Sequence, residues 1–82
     1  MKRAKVFSMD NCGPCKVYRS EIDSLISEGL PISVLNIDDD PDLKSEYNLK
    51  AAPTTIIFDE NNNEIDRFLG MKGRQQLRNK LL

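Results

Sequence analysis

The spacing of apolar and polar positions changes period several times along the chain, and each change marks an element. Residues 3 to 8, Arg-Ala-Lys-Val-Phe-Ser, form a short, weakly apolar block that ends in polar turn formers and predicts a strand. From Gly13 to Glu28 the period lengthens. Val17, Tyr18, Ile22, Leu25 and Ile26 recur at steps of three and four, as one stripe of an amphipathic helix. Asn11 is the expected N-cap, Pro14 fits the first turn, and Gly29 followed by Pro31 is a stop signal. Residues 32 to 37, Ile-Ser-Val-Leu-Asn-Ile, are rich in β-formers and predict a buried strand. Asp40 and Pro41 supply an N-cap and a first-turn proline for a short helix through about Tyr47, with Leu43 and Tyr47 as its apolar face. Thr54 to Phe58 predicts a strand, residues 59 to 63 a turn, and residues 64 to 69 a second strand of the same hairpin. Gly70 and Gly73 punctuate the chain before a terminal helix over 74–82, whose Leu77 and Leu81 stand at i,i+4.

The resulting order is βαβαββα. A strand, a helix and a second strand in so short a stretch predict a parallel pair with a right-handed crossover, and the hairpin adds antiparallel strands to the same sheet. The expected class is α/β, a four-stranded mixed sheet with helices on both faces, and residues 1–82 are expected to form a single domain.

Composition narrows the function classes. Twelve Lys and Arg against 13 Asp and Glu leave a net charge of −1, which provides no field to hold a polyanion, so nucleic acid is not an expected partner. The first residues carry positive charge without the apolar stretch of a signal peptide, and no apolar run is long enough to span a membrane. The expected setting is a reducing cytoplasm. Two cysteines cannot build the multi-bridge framework of a small secreted scaffold, and with no histidine in the chain they cannot complete a zinc site alone.

Those two cysteines stand as Cys12-Gly13-Pro14-Cys15, followed by Lys16, where the first strand hands over to the first helix. The i,i+3 spacing brings both sulfurs to one side of the first turn, within reach of a disulfide. Cys12 would sit among unpaired backbone N–H groups at the positive end of the helix dipole, an environment that favours a thiolate and makes it the candidate nucleophile. Cys15, one turn further in, would be shielded and placed to resolve a mixed disulfide on Cys12. The blander readings are half of a metal site, an inert buried pair, or an iron–sulfur centre shared between two chains. Lys16 either favours the thiolate or is a solvated charge, and Asp10 is either a proton acceptor or an ordinary turn residue. The run Asp38-Asp39-Asp40-Pro41-Asp42 matches no calcium loop and suits a helix start, so no metal site is expected.

The Cys-Gly-Pro-Cys-Lys motif resembles the active-site signature of the thioredoxin family. Val34 to Asp38 and the Asp-Pro helix start resemble that family's next strand and helix. Ala52-Pro53-Thr54 stands where the family keeps a cis-proline loop, and Gly70 with Leu77 matches its closing glycine and terminal helix. The resemblance implies a minimal thioredoxin fold in which Pro53 follows a cis bond and lies across from Cys12. It also implies that the backbone of Ala52 pairs with an extended substrate segment, and that Thr54 and Gly70 complete the docking surface. The sequence departs from the family in three places. Only 11 residues precede Cys12, a length closer to glutaredoxins. The family's buried Asp and its partner Lys are Val6 and Val34 here. Its two tryptophans near the motif are Asn11 and Ser8.

The expected function is therefore a thiol–disulfide oxidoreductase acting as a monomer on protein disulfides, with no bound cofactor. Its reductant would be thioredoxin reductase or another upstream thiol. Gly-Pro between the cysteines favours reduction over disulfide formation. The alternatives are a glutaredoxin-like electron donor, for instance to ribonucleotide reductase, and a binding subunit whose cysteines are dispensable.

Overall fold

Strand β1 (Arg3–Ser8) lies inside the sheet, so its alternating side chains must serve two cores at once. The computed structural model, which describes residues 1–82, continues with α1 (Gly13–Ser27), β2 (Ile32–Asn36), α2 (Leu43–Glu46), β3 (Thr54–Phe58), β4 (Glu64–Leu69) and α3 (Arg74–Leu81). The strands are ordered β2-β1-β3-β4. β1 runs parallel to β2 and antiparallel to β3, and β3 pairs antiparallel with β4. The predicted βαβαββα order and mixed sheet are both present.

The pleat divides the core. Ala4 and Val6 of β1 and Ile57 of β3 pack with Tyr18, Ile22 and Leu25 of α1 and with Leu77 and Leu81 of α3. On the opposite face Phe7, Ile56 and Phe58 pack with Ile37 and Leu43, so α2 covers that side. Lys5 points the same way as Phe7 and is half-buried: its Nζ donates to the Tyr47 hydroxyl at 2.8 Å and lies 5.1 Å above the Tyr47 ring and 5.3 Å above that of Phe58. Its aliphatic stem covers apolar surface while the charge is held by an oxygen and two ring faces.

Several predicted boundaries are corrected. Asn11 is not the N-cap of α1: its φ of 57° places it in a left-handed turn, which asparagine tolerates, whereas a cap needs extended backbone. Cys12 has that backbone, with φ −103° and ψ 108°, and its sulfur accepts the cap bond from the Cys15 N–H at 3.2 Å. The helix ends at Ser27 with Glu28 as its C-cap. Val17 and Ile26, assigned to the buried stripe, are 58% and 38% exposed. The stripe that faces the sheet is Cys15, Tyr18, Ile22 and Leu25, narrower than the apolar pattern. β2 stops at Asn36. Residues 37–40 form turns in which the Asp39 and Asp40 N–H groups donate to the carbonyls of Asn36 and Ile37, leaving only one turn of α2, which begins after Asp42 and not after Asp40 and has no side-chain cap bond.

Tyr18 carries the one buried hydroxyl pair between α1 and the sheet, its Oη hydrogen-bonded to Thr55 Oγ1 at 2.9 Å. Burial raises the Tyr18 pKa above its usual value, outweighing the lowering effect of Thr55. An unfolded tyrosine ionises near pH ~10 while the folded one keeps its proton, so folding stability falls as pH rises past that point. Tyr18→Phe should destabilise by about 1–2 kcal/mol at neutral pH, because Thr55 Oγ1 is left unpaired. It should also flatten the alkaline decline. Urea midpoints that fall in parallel for variant and wild type above pH ~10 would rule out a buried neutral phenol.

Candidate active site

The first turn of α1 and the loop before β3 bring together the residues singled out from the sequence. Cys12 and Cys15 are joined as a disulfide with their Cα atoms 5.2 Å apart, inside the usual range for such bonds. Because Cys12 is the cap of α1, its sulfur meets the free N–H groups of the first turn: the Cys15 amide points at it directly. The same amide, with the 15-residue helix behind it, puts the positive end of the helix dipole at Cys12 Sγ. Cys15 is only 6% exposed and sits on the sheet-facing stripe, whereas Cys12 is half-buried and Gly13, Pro14 and Lys16 are exposed around it. One sulfur is thus accessible and the other shielded.

Across from the disulfide, the Ala52–Pro53 peptide is cis, and Cys12 Sγ lies 3.9 Å from the Ala52 carbonyl oxygen. Pro53 is buried, Ala52 is half-buried, and the loop is tied at two points. Thr54 Oγ1 donates to the Ala51 carbonyl at 2.6 Å, and the Gly70 N–H donates to the Pro53 carbonyl at 2.8 Å. Gly70 makes that bond from a φ of 78°, a backbone conformation that side chains with a Cβ rarely adopt. On either side of it, Leu69 and Met71 are 59% and 45% exposed. The sequence places Leu69 within a strand and assigns Met71 no role; the apolar pair flanking Gly70 is the signal that points to them.

A cleft of about 460 Å3 opens beside Cys15, between α1 and the ends of β1 and β2. Val6 and Val34 line it and stand opposite one another in the β1–β2 register, so the two positions where the family keeps a charged pair are adjacent and apolar here. Asp10 reaches the same cleft. Its carboxylate accepts from Asn36 Nδ2 at 2.9 Å, and its own N–H donates to Asp38 Oδ2 at 2.6 Å. The Asn36 bridge was invisible in sequence, since it joins residues 26 positions apart. No ion pair ties Lys16, which stands exposed at the rim.

Residues 6–82 match the thioredoxin family model. The chain is 36% identical over 73 residues to a thioredoxin of Chlamydia caviae, covering 87% of this chain and 71% of that protein. It is 32% identical over 69 residues to the mitochondrial thioredoxin of Mus musculus, covering 80% of this chain and 41% of that longer protein. Among solved structures, Fasciola hepatica thioredoxin superposes on 98% of this chain and 77% of its own length with a TM-score of 0.84 at 23% identity. A thioredoxin variant from Halobacterium salinarum superposes on 98% of this chain and 71% of its own with a TM-score of 0.86 at 20% identity. With the fold, the capped cysteine pair and the cis-proline loop in place, the chain belongs to the thioredoxin family of thiol–disulfide oxidoreductases.

Proposed function

We propose that the protein is a protein-disulfide reductase in which the Cys12–Cys15 dithiol is the electron carrier. The observation that carries this reading is the asymmetry of the pair, with Cys12 accessible at the helix cap and Cys15 buried one turn behind it. The Cys12 thiolate attacks a substrate disulfide and releases the first substrate sulfur as a thiolate. Cys15 then attacks Cys12, releasing the second and closing the internal disulfide. Two electrons leave the dithiol and two substrate thiols form, so no bound cofactor is needed. The substrate segment pairs with the backbone of Ala52 beside Pro53 and Thr54, flanked by Gly70 and the apolar Leu69 and Met71. Thioredoxin reductase or another upstream thiol restores the dithiol. Both cysteines belong to this pair, and the protein acts as a monomer in a compartment whose reductants can return the disulfide to the dithiol.

Cys15→Ser should accumulate substrates as stable mixed disulfides on Cys12, recoverable from a lysate on non-reducing gels and released by added thiol. Adducts that resolve as fast in the variant as in the wild type would remove Cys15 from the mechanism. Turnover sustained by a thioredoxin reductase and not by glutathione supports the thioredoxin type. The opposite pattern would make the protein a glutaredoxin-like donor.

A further inference from the structure

Resolution requires the Cys15 thiol to lose a proton while it is buried, and the strands beside it provide no base. The strands line the cleft with Val6 and Ser8 of β1 and Val34 and Asn36 of β2, none of which is a base at neutral pH, and the chain has no histidine. The other ionisable groups of the cleft are the cations Lys16 and Arg19 of α1 and the phenol of Tyr18, which burial keeps neutral and Thr55 occupies. Asp10 is the single carboxylate on the cleft wall. It is held in place there: Asn36 donates to its Oδ1 and Asp38 accepts from its N–H, while no protein donor meets its Oδ2.

From this arrangement we propose that Asp10 accepts the Cys15 proton in the resolving step, with the cleft between α1 and the β1–β2 ends as the route. The proposal rests on the dithiol reading above and adds its missing base. The Cys15 S–H bond breaks and its proton passes through solvent in the cleft to the Asp10 carboxylate. The Cys15 thiolate attacks Cys12 Sγ, the Cys12–substrate S–S bond breaks, and the substrate leaves with both electrons of that bond as a thiolate. The proton on Asp10 then returns to the departing thiolate or to solvent. Oxidation of the dithiol and reduction of the substrate balance without another reagent. The charged and titratable groups that face Asp10 are Lys16 and Arg19 from α1, Tyr18 beneath them and Asp38 beyond β2, so replacing Asp10 leaves no other anionic acceptor on the cleft wall.

A symmetrical nitroaryl disulfide tests this on the reduced, full-length protein, because attack by Cys12 releases one coloured arylthiolate and resolution by Cys15 releases a second. In Asp10→Asn the ratio of the second rate to the first should fall by about tenfold or more at pH ~7, as expected for loss of a positioned base. The deficit should narrow toward pH ~9, where the thiol approaches its own ionisation range and hydroxide replaces the carboxylate. Asp10→Glu should restore most of the ratio. An unchanged ratio in Asp10→Asn, or a deficit of the same size at every pH, overturns the proposal, the latter because a displaced loop would act equally across the range. If the wild type releases only the first equivalent, the dithiol reading fails and the proposal fails with it.

Discussion

Cys12→Ser should reduce turnover of a protein disulfide substrate to background, a loss of roughly three or more orders of magnitude on the scale set by removing other covalent nucleophiles. Serine keeps the size of the side chain and can still accept the cap bond from the Cys15 N–H, so α1 should start at the same place and the fold should persist. What disappears is the only accessible thiol, since Cys15 is buried on the sheet-facing stripe. Circular dichroism of the variant matching the wild type, together with abolished reduction, is the expected pair of results. A variant that keeps even a tenth of the activity would mean that Cys15 attacks substrates directly, and the assignment of roles would have to be reversed.

The second large effect is on stability. Leu25 is completely buried, between the helices α1 and α3 and the sheet, in the cluster that contains Ala4, Val6, Tyr18, Ile22, Ile57, Leu77 and Leu81. Leu25→Ala removes apolar contact and leaves a cavity that β1, held in the sheet between β2 and β3, cannot collapse to fill, so the loss should be about 3 kcal/mol within the usual 2–5. For a chain of this size the melting temperature should fall by roughly 15 °C, and the folded fraction at 37 °C should become incomplete. Ile26→Ala, one residue along the same helix and 38% exposed, should cost much less, about 0.5 kcal/mol. Equal losses at the two positions in thermal melts would show that α1 is not oriented as described.

That pair of positions also shows what could be read before the structure. Every element was visible because local chemistry and long-range packing agreed: the β-branched run Thr54–Phe58 is buried on both faces, and Gly29 takes a φ of 92° where α1 has to stop. The disulfide and its polarity were legible for the same reason, as spacing and helix position are local properties. The errors fall where several residue types could satisfy one local rule. Asn11 has the side chain a cap prefers, but its left-handed backbone leaves the position to Cys12, whose extended backbone fits it. Val17 and Ile26 fitted the period but fall outside the arc that the sheet covers. The contacts that complete the site, Gly70 to Pro53 and Asn36 to Asp10, are made between segments distant in sequence, and only folding brings them into reach.

The two ties on the Pro53 loop decide where the entropy of association is lost. One bond anchors the loop to its own preceding turn and the other to the end of β4, so the strand-like edge that a substrate meets is already ordered before binding. Conformational freedom is then surrendered by the incoming segment. A disulfide in an unfolded or loosely held stretch can adopt the extended form at modest cost, whereas one inside a rigid framework must break its own contacts first. If a substrate pairs with this edge as proposed, disulfides in loosely held stretches should be reduced faster than those in rigid frameworks, and competition between the two kinds of substrate would measure the difference.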